Sequence, residues 1–210
     1  MKRNALDLAA NYSLQKLKNE LLPQLHYHCL EHTRDEVVVW AERLADLEKI
    51  EVDDRQILLT AAYFHDLGWT QVKNTSELEY LKRHEHEFLG AELARSVLPE
   101  FGYQSREIDE VCNLIMVTRL DEKPVKTTEK ILRDADLSSI GQGVELFWKR
   151  GNDLRAEMAE FGICIDDFSW NMVELNLLQG MTYFTDSARH LFDGQKQAAL
   201  ESVRALLGNK

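Results

Sequence analysis

The sequence predicts an all-α protein on three observations. Apolar residues recur at helical spacing almost throughout the 210 residues. No stretch shows the strict apolar and polar alternation between turn residues that marks a half-buried strand. Pro99, Gly102, Pro124, Gly141, Gly143 and Gly162 fall between most of the periodic segments, as chain punctuation does.

Taken in order, a first helix over about residues 5 to 21 stops near Pro23, which cannot continue the hydrogen-bond ladder. A second carries Val37, Val38, Trp40, Ala41, Leu44 and Leu47 on its apolar stripe. Asp53 with Gln56 three residues later reads as a capping box opening a third helix that runs to Leu67, and Gly68 stands where a left-handed cap would end it. Further helices are expected at about 84–98, 105–118, 128–138, 143–160, 168–184 and 187–206. With 44% hydrophobic content and no linker, repeat or low-complexity segment, residues 1–210 read as a single domain. A motif-bearing core is expected at about 25–140, with the helices of about 141–206 packing on it.

A formal charge of −11 argues against binding a nucleic-acid polymer, whose phosphates demand clustered Lys and Arg. No apolar run approaches the roughly 18 residues of a membrane span. The start, M-K-R-N-A-L-D-L-A-A, lacks a signal-peptide apolar block, so a cytoplasmic protein is expected. Cys29, Cys112 and Cys164 are widely scattered and without C-x-x-C spacing, which makes buried free thiols the simplest reading. The aromatic residues Phe147, Trp148, Phe161, Phe168, Trp170, Tyr183, Phe184 and Phe192 sit at largely helical spacing and suit a core or a dimer interface, so a homo-oligomer is compatible with the sequence.

Chemistry enters at A-A-Y-F-H-D-L-G-W. The stripe Ile57, Leu58, Ala61, Ala62 continues at the next turn to His65, which places an imidazole, with Asp66 beside it, on a core face. Burying both costs several kcal/mol unless each is paired, hydrogen-bonded or metal-bound. In L-H-Y-H-C-L-E-H-T, His28 and His32 are four apart and share one side of a helix or helical turn. In R-H-E-H-E-F-L-G-A-E-L-A, about 200° of helical rotation separates His84 from His86. His86 shares the stripe of Leu89, Gly90, Leu93 and Val97 and is the inward one; His84 is expected to face solvent. In I-L-R-D-A-D-L-S-S-I-G the same reasoning selects Asp136, four residues from both Leu132 and Ile140, and leaves Asp134 as a solvated charge. His190 has no companion histidine and reads as a surface or interface residue. Each segment alone could be a satisfied core histidine or cap. Together His32, His65 with Asp66, and Asp136 point to a site for a divalent ion such as Mn²⁺, Fe²⁺, Co²⁺, Ni²⁺, Zn²⁺ or Mg²⁺.

The order H…HD…D, carried by E-H-T-R-D-E-V, A-Y-F-H-D-L-G and D-A-D-L-S-S-I-G, resembles the HD-domain superfamily of metal-dependent phosphohydrolases, an all-α helical bundle. The resemblance implies that His32, His65, Asp66 and Asp136 are the metal ligands. Y-H-C-L-E-H-T also looks like the Y-H-N-x-x-H of the cyclic-nucleotide phosphodiesterases, although Cys29 replaces the asparagine; it implies His28 as the proton donor to the leaving group. Binuclear members add histidines before the last aspartate, where this chain has Thr118 and Arg119 in L-I-M-V-T-R-L. One ion is therefore implied, with His86 alone available for a second. Phosphate needs cations, and Lys82, Arg83, Arg119, Lys123, Lys126 and Arg133 lie near the motifs, Arg119 being the chosen candidate. The implied activity is hydrolysis of a phosphoester of a nucleotide or other small metabolite, with Asp66 orienting a metal-activated water. Its rivals are a regulatory module that binds metal or nucleotide without turnover, and a di-iron oxygenase, which needs more histidines than are visible here.

Overall fold

The computed structural model describes residues 2–77 and 86–208, and among these lie nine α-helices and no strand. They are α1 (Lys2–Glu20), α2 (Val38–Leu47), α3 (Val52–Phe64), α4 (His86–Val97), α5 (Ser105–Met116), α6 (Thr127–Asp136), α7 (Val144–Glu160), α8 (Asp167–Gly180) and α9 (Asp186–Gly208). A π-helical segment, His32–Val37, runs without a break into α2, and a 3-10 turn, Leu67–Gln71, follows α3. No helix is long and apolar enough to cross a membrane among the described residues.

The third helix is the hub, touching α1, α2, α5 and α6, and Leu58, Ala61, Ala62 and Phe64 are wholly buried on it. Its limits differ from the sequence expectation. The N-cap is Glu51, with no side-chain cap, so the Asp53–Gln56 box does not form; Asp53 and Asp54 instead sit in the first turn, where acidic groups complement the helix dipole. The regular helix ends at Phe64, so His65 and Asp66 sit on the turn that leaves it.

Gly68 is not a left-handed cap; the only positive-φ glycines among the described residues are Gly102, Gly143 and Gly162. Its role is close approach. A Cβ built there would lie 1.9 Å from the carbonyl oxygen of His86, so only a glycine lets α4 start against the turn that follows His65 and Asp66. Gly90 extends the same contact, its missing Cβ falling 3.1 Å from the Phe64 carbonyl oxygen.

Asp134 also departs from expectation. It is 1% exposed, and its carboxylate accepts the backbone amides of Phe184 and Thr185, each at 2.8 Å, and the Thr185 hydroxyl at 2.8 Å. This bond set holds the segment after α8 extended, which is why that helix stops at Gly180 rather than near 184. Beside the main core, Phe147, Leu178, Leu200 and Val203 form a second apolar cluster between α7, α8 and α9. Of the three thiols only Cys112 is buried; Cys29 is half-buried and Cys164 exposed.

Candidate metal centre

Three segments converge at the end of α3. The π-helical turn brings His32, the turn after α3 brings His65 and Asp66, and the last residue of α6 is Asp136. His32 Nε2 lies 3.2 Å from Asp136 Oδ1 and 3.9 Å from Asp66 Oδ2; His65 Nε2 lies 3.2 Å from Asp66 Oδ2 and 3.6 Å from Asp136 Oδ1. Two donors about 2.1 Å from one ion at right angles stand roughly 3 Å apart, so these separations suit a shared ion. The tautomers suit it as well. His65 Nδ1 lies 2.8 Å from the Ala62 carbonyl and His32 Nδ1 3.2 Å from Glu36, so with Nδ1–H donating to these acceptors an ion that displaced the Nε2 protons would meet both Nε2 lone pairs. His65 Nε2 and Asp66 Oδ2 are buried without a hydrogen-bond partner among the described residues. Such orphaned buried atoms are rare without a reason. The donor set therefore fits a divalent ion.

A second layer surrounds His28. This residue precedes the helix, on a bend, so helical spacing is not what brings it to His32. Glu157 on α7 holds it, accepting the ring Nδ1–H at 2.5 Å and, through its other oxygen, the amides of Tyr27 and His28. Trp69 stacks on both His28 and His86, with ring centroids 4.4 and 4.7 Å away. His86 Nε2 reaches to 3.7 Å from Asp66 Oδ1, and His28, Asp66 and His86 offer donor atoms within 4.8 Å of one another.

The HD domain family model matches residues 29–139, more than half of the chain. The chain belongs to the HD domain family. HD domains bind divalent metals, and the His32, His65 and Asp66 cluster is a place where this HD domain could hold one. A solved structure, that of Bacillus subtilis YpgQ in complex with ADP, is similar over 100% of this chain and 96% of its own, with a TM-score of 0.67 and 19% sequence identity; that is a likeness of fold. No curated protein matches the chain.

Charge in this HD centre is balanced internally. Burial pushes the His32 imidazole down, but hydrogen bonds to Asp136 and Glu36 outweigh it and raise the group to about 10. Asp66 goes the other way: burial raises it, and His65 foremost among its neighbours pulls it well below the usual carboxylate range. For His28 burial lowers the imidazole and the Glu157 carboxylate more than restores it. His86, less favoured by partners, is driven by burial to about 4 and is neutral at pH 7.

The cations fall differently from the sequence reading. Arg119 pairs with Asp121 at 2.9 Å and does not line the cavity. Arg133 is buried and donates to the carbonyls of Val117, Arg119 and Glu122, pinning the loop after α5. Lys82, Arg83 and His84 lie outside the described residues. The cation that does line the cavity is Arg150 on α7, whose Nε donates to Glu36 at 2.8 Å, so His32, Glu36 and Arg150 form one chain of contacts. His190 is exposed, as expected.

Proposed function

We propose that this HD domain is a metal-dependent phosphohydrolase that cleaves a phosphoester of a nucleotide or other small phosphorylated metabolite. One observation carries the reading: His65 Nε2 and Asp66 Oδ2, 3.2 Å apart and buried without a hydrogen-bond partner among the described residues, lie 3.6 Å from Asp136 Oδ1 and 3.9 Å from His32 Nε2 respectively. His32, His65, Asp66 and Asp136 would hold one divalent ion. Such an ion supplies Lewis acidity, drawing the pKa of water toward neutrality and charge away from a phosphoryl oxygen. Asp66 would ligate through one oxygen; its other oxygen lies 3.7 Å from His86 Nε2, and we assign it to orient the attacking water. His28, fixed by Glu157, is the group we assign to protonate the departing oxygen. Thr118 supports a single ion, because the hydroxyl standing where binuclear relatives carry histidine donates to the Ile115 carbonyl at 2.8 Å. The cavity next to the site measures about 290 Å³ and takes in His28, Asp66, His86 and Asp136, a size for small ligands. The ADP bound by the YpgQ structure is in keeping with a nucleotide.

A second reading, a regulatory module that keeps the metal without turnover, draws on Arg150. It is the only Lys or Arg lining the cavity among the described residues, and Glu36 already neutralises it. Metal analysis of protein purified without added metal, coupled to a panel of phosphomonoesters and phosphodiesters, separates the two. Turnover by the metal-loaded chain supports the enzyme. Nucleotide binding without any turnover supports the module.

A further inference from the structure

The cavity has two unlike ends. Around Asp66, Asp136 and His86 it is polar; beyond Leu137 it is walled by Ile140, Phe147, Leu154 and Leu177. In that apolar end lies one carboxyl group, Glu174 of α8, only 3% exposed yet lining the cavity. It has no hydrogen bond or ion pair among the described residues. Gly151 makes room for it, since a Cβ there would stand 2.4 Å from Glu174 Oε1. A buried carboxyl without partners costs stability, and hydrocarbon in its place would be the stable choice. Burial accordingly pushes the group up to about 7.

We infer that Glu174 is a specificity residue that accepts the amino N–H of a nucleobase seated in this apolar end, with the phosphates directed to the metal end. The ligand class follows from the surroundings. An alkyl ammonium carries three donors and needs several acceptors, whereas among the described residues this end offers one carboxyl among apolar side chains. A flat heterocycle satisfies both, burying its faces against apolar walls while its edge amino group meets the carboxyl. The inference rests on the phosphoester reading for the direction in which the ligand lies.

The test is equilibrium binding of two probes to the full-length, metal-loaded chain: ADP, and purine riboside 5′-diphosphate, which lacks only the 6-amino group. The wild-type protein is expected to bind ADP at least about tenfold more tightly, the scale of one buried hydrogen bond to a charged group. Glu174→Leu should bring the ratio to about one, and Glu174→Gln, which keeps a carbonyl acceptor, should retain part of it. A wild-type ratio near one overturns the proposal even if Glu174→Leu fails to fold, as does a ratio that survives in Glu174→Leu or binding of neither probe at millimolar concentration. Cleavage of phosphoesters without base discrimination would sink this inference alone. Glu174-dependent discrimination in a chain that cleaves nothing would sink the phosphohydrolase reading and leave the base site standing.

Discussion

Glu157 grips His28 across 129 residues of sequence, one carboxylate oxygen accepting the ring Nδ1–H and the other the amides of Tyr27 and His28. The imidazole is thereby fixed in place with its second nitrogen unencumbered by this contact. Removing the ring leaves Glu157 its two amide donors, so His28→Ala should keep fold and metal. Its rate should drop on the order of 10²-fold for a poor alkoxide leaving group and much less for a nitrophenyl phosphoester. Equal losses on the two substrates, measured side by side, would make His28 a packing residue. Glu157→Gln should show the same substrate dependence and add little to His28→Ala in the double variant.

Metal retention should depend on each of the four converging side chains. His32→Ala, His65→Ala, Asp66→Ala and Asp136→Ala are expected to lose most bound divalent metal by elemental analysis, and the exposed His190→Ala to lose none. Full occupancy in Asp136→Ala would remove that residue from the ligand set.

Stoichiometry should be close to one ion per chain at modest metal excess. The second group of donors, His28, Asp66 and His86, has only Asp66 as its carboxylate, which it shares with the first group, and the hydroxyl of Thr118, where binuclear relatives carry histidine, is given to the Ile115 carbonyl. Anomalous scattering that revealed two well-occupied ions about 3.5–4 Å apart would contradict this.

Glu174 should make stability pH-dependent. Its carboxyl, ordinarily near 4.5, is raised by burial to about 7, so the folded state binds the proton more tightly than the unfolded chain. The stability this contributes is present below about pH 4.5 and is lost as pH rises to about 7, roughly 3 kcal/mol at most. Glu174→Gln does not titrate. The Tm advantage of that variant over wild type should therefore widen between pH 5 and about pH 7 and then level off; a constant gap would mean that the carboxyl is paired.

Gly68→Ala should be destabilising by more than about 2 kcal/mol, because the new methyl meets backbone rather than a movable side chain. Relief requires α4 to draw back, which carries His86 away from Asp66. A Tm within a degree of wild type would show that the approach of α4 is looser than described.

The helical class, most helix limits and the inward placement of His65, His86 and Asp136 were legible from periodicity, because an amphipathic helix must turn its apolar stripe to the core and carries any residue on that stripe with it. The same rule applied to α7 would have found two more residues: Phe147, Arg150, Leu154 and Glu157 recur at spacings of three and four, so both charges lie on the stripe. Asp134 escaped the rule. Its burial depends on the extended segment at Phe184 and Thr185, which arrives from fifty residues away to satisfy the carboxylate. Gly68 could be read locally only as a cap; that a second backbone lies against it is a fact of how α4 packs. Tertiary structure alone decided which cation among the described residues lines the cavity, that Glu157 holds His28, and that Glu174 stands beside Gly151 with no partner among the described residues. Those relations join α7 and α8 to the motif segments, and sequence spacing carries no information about which distant carboxylate will meet which histidine once helices pack.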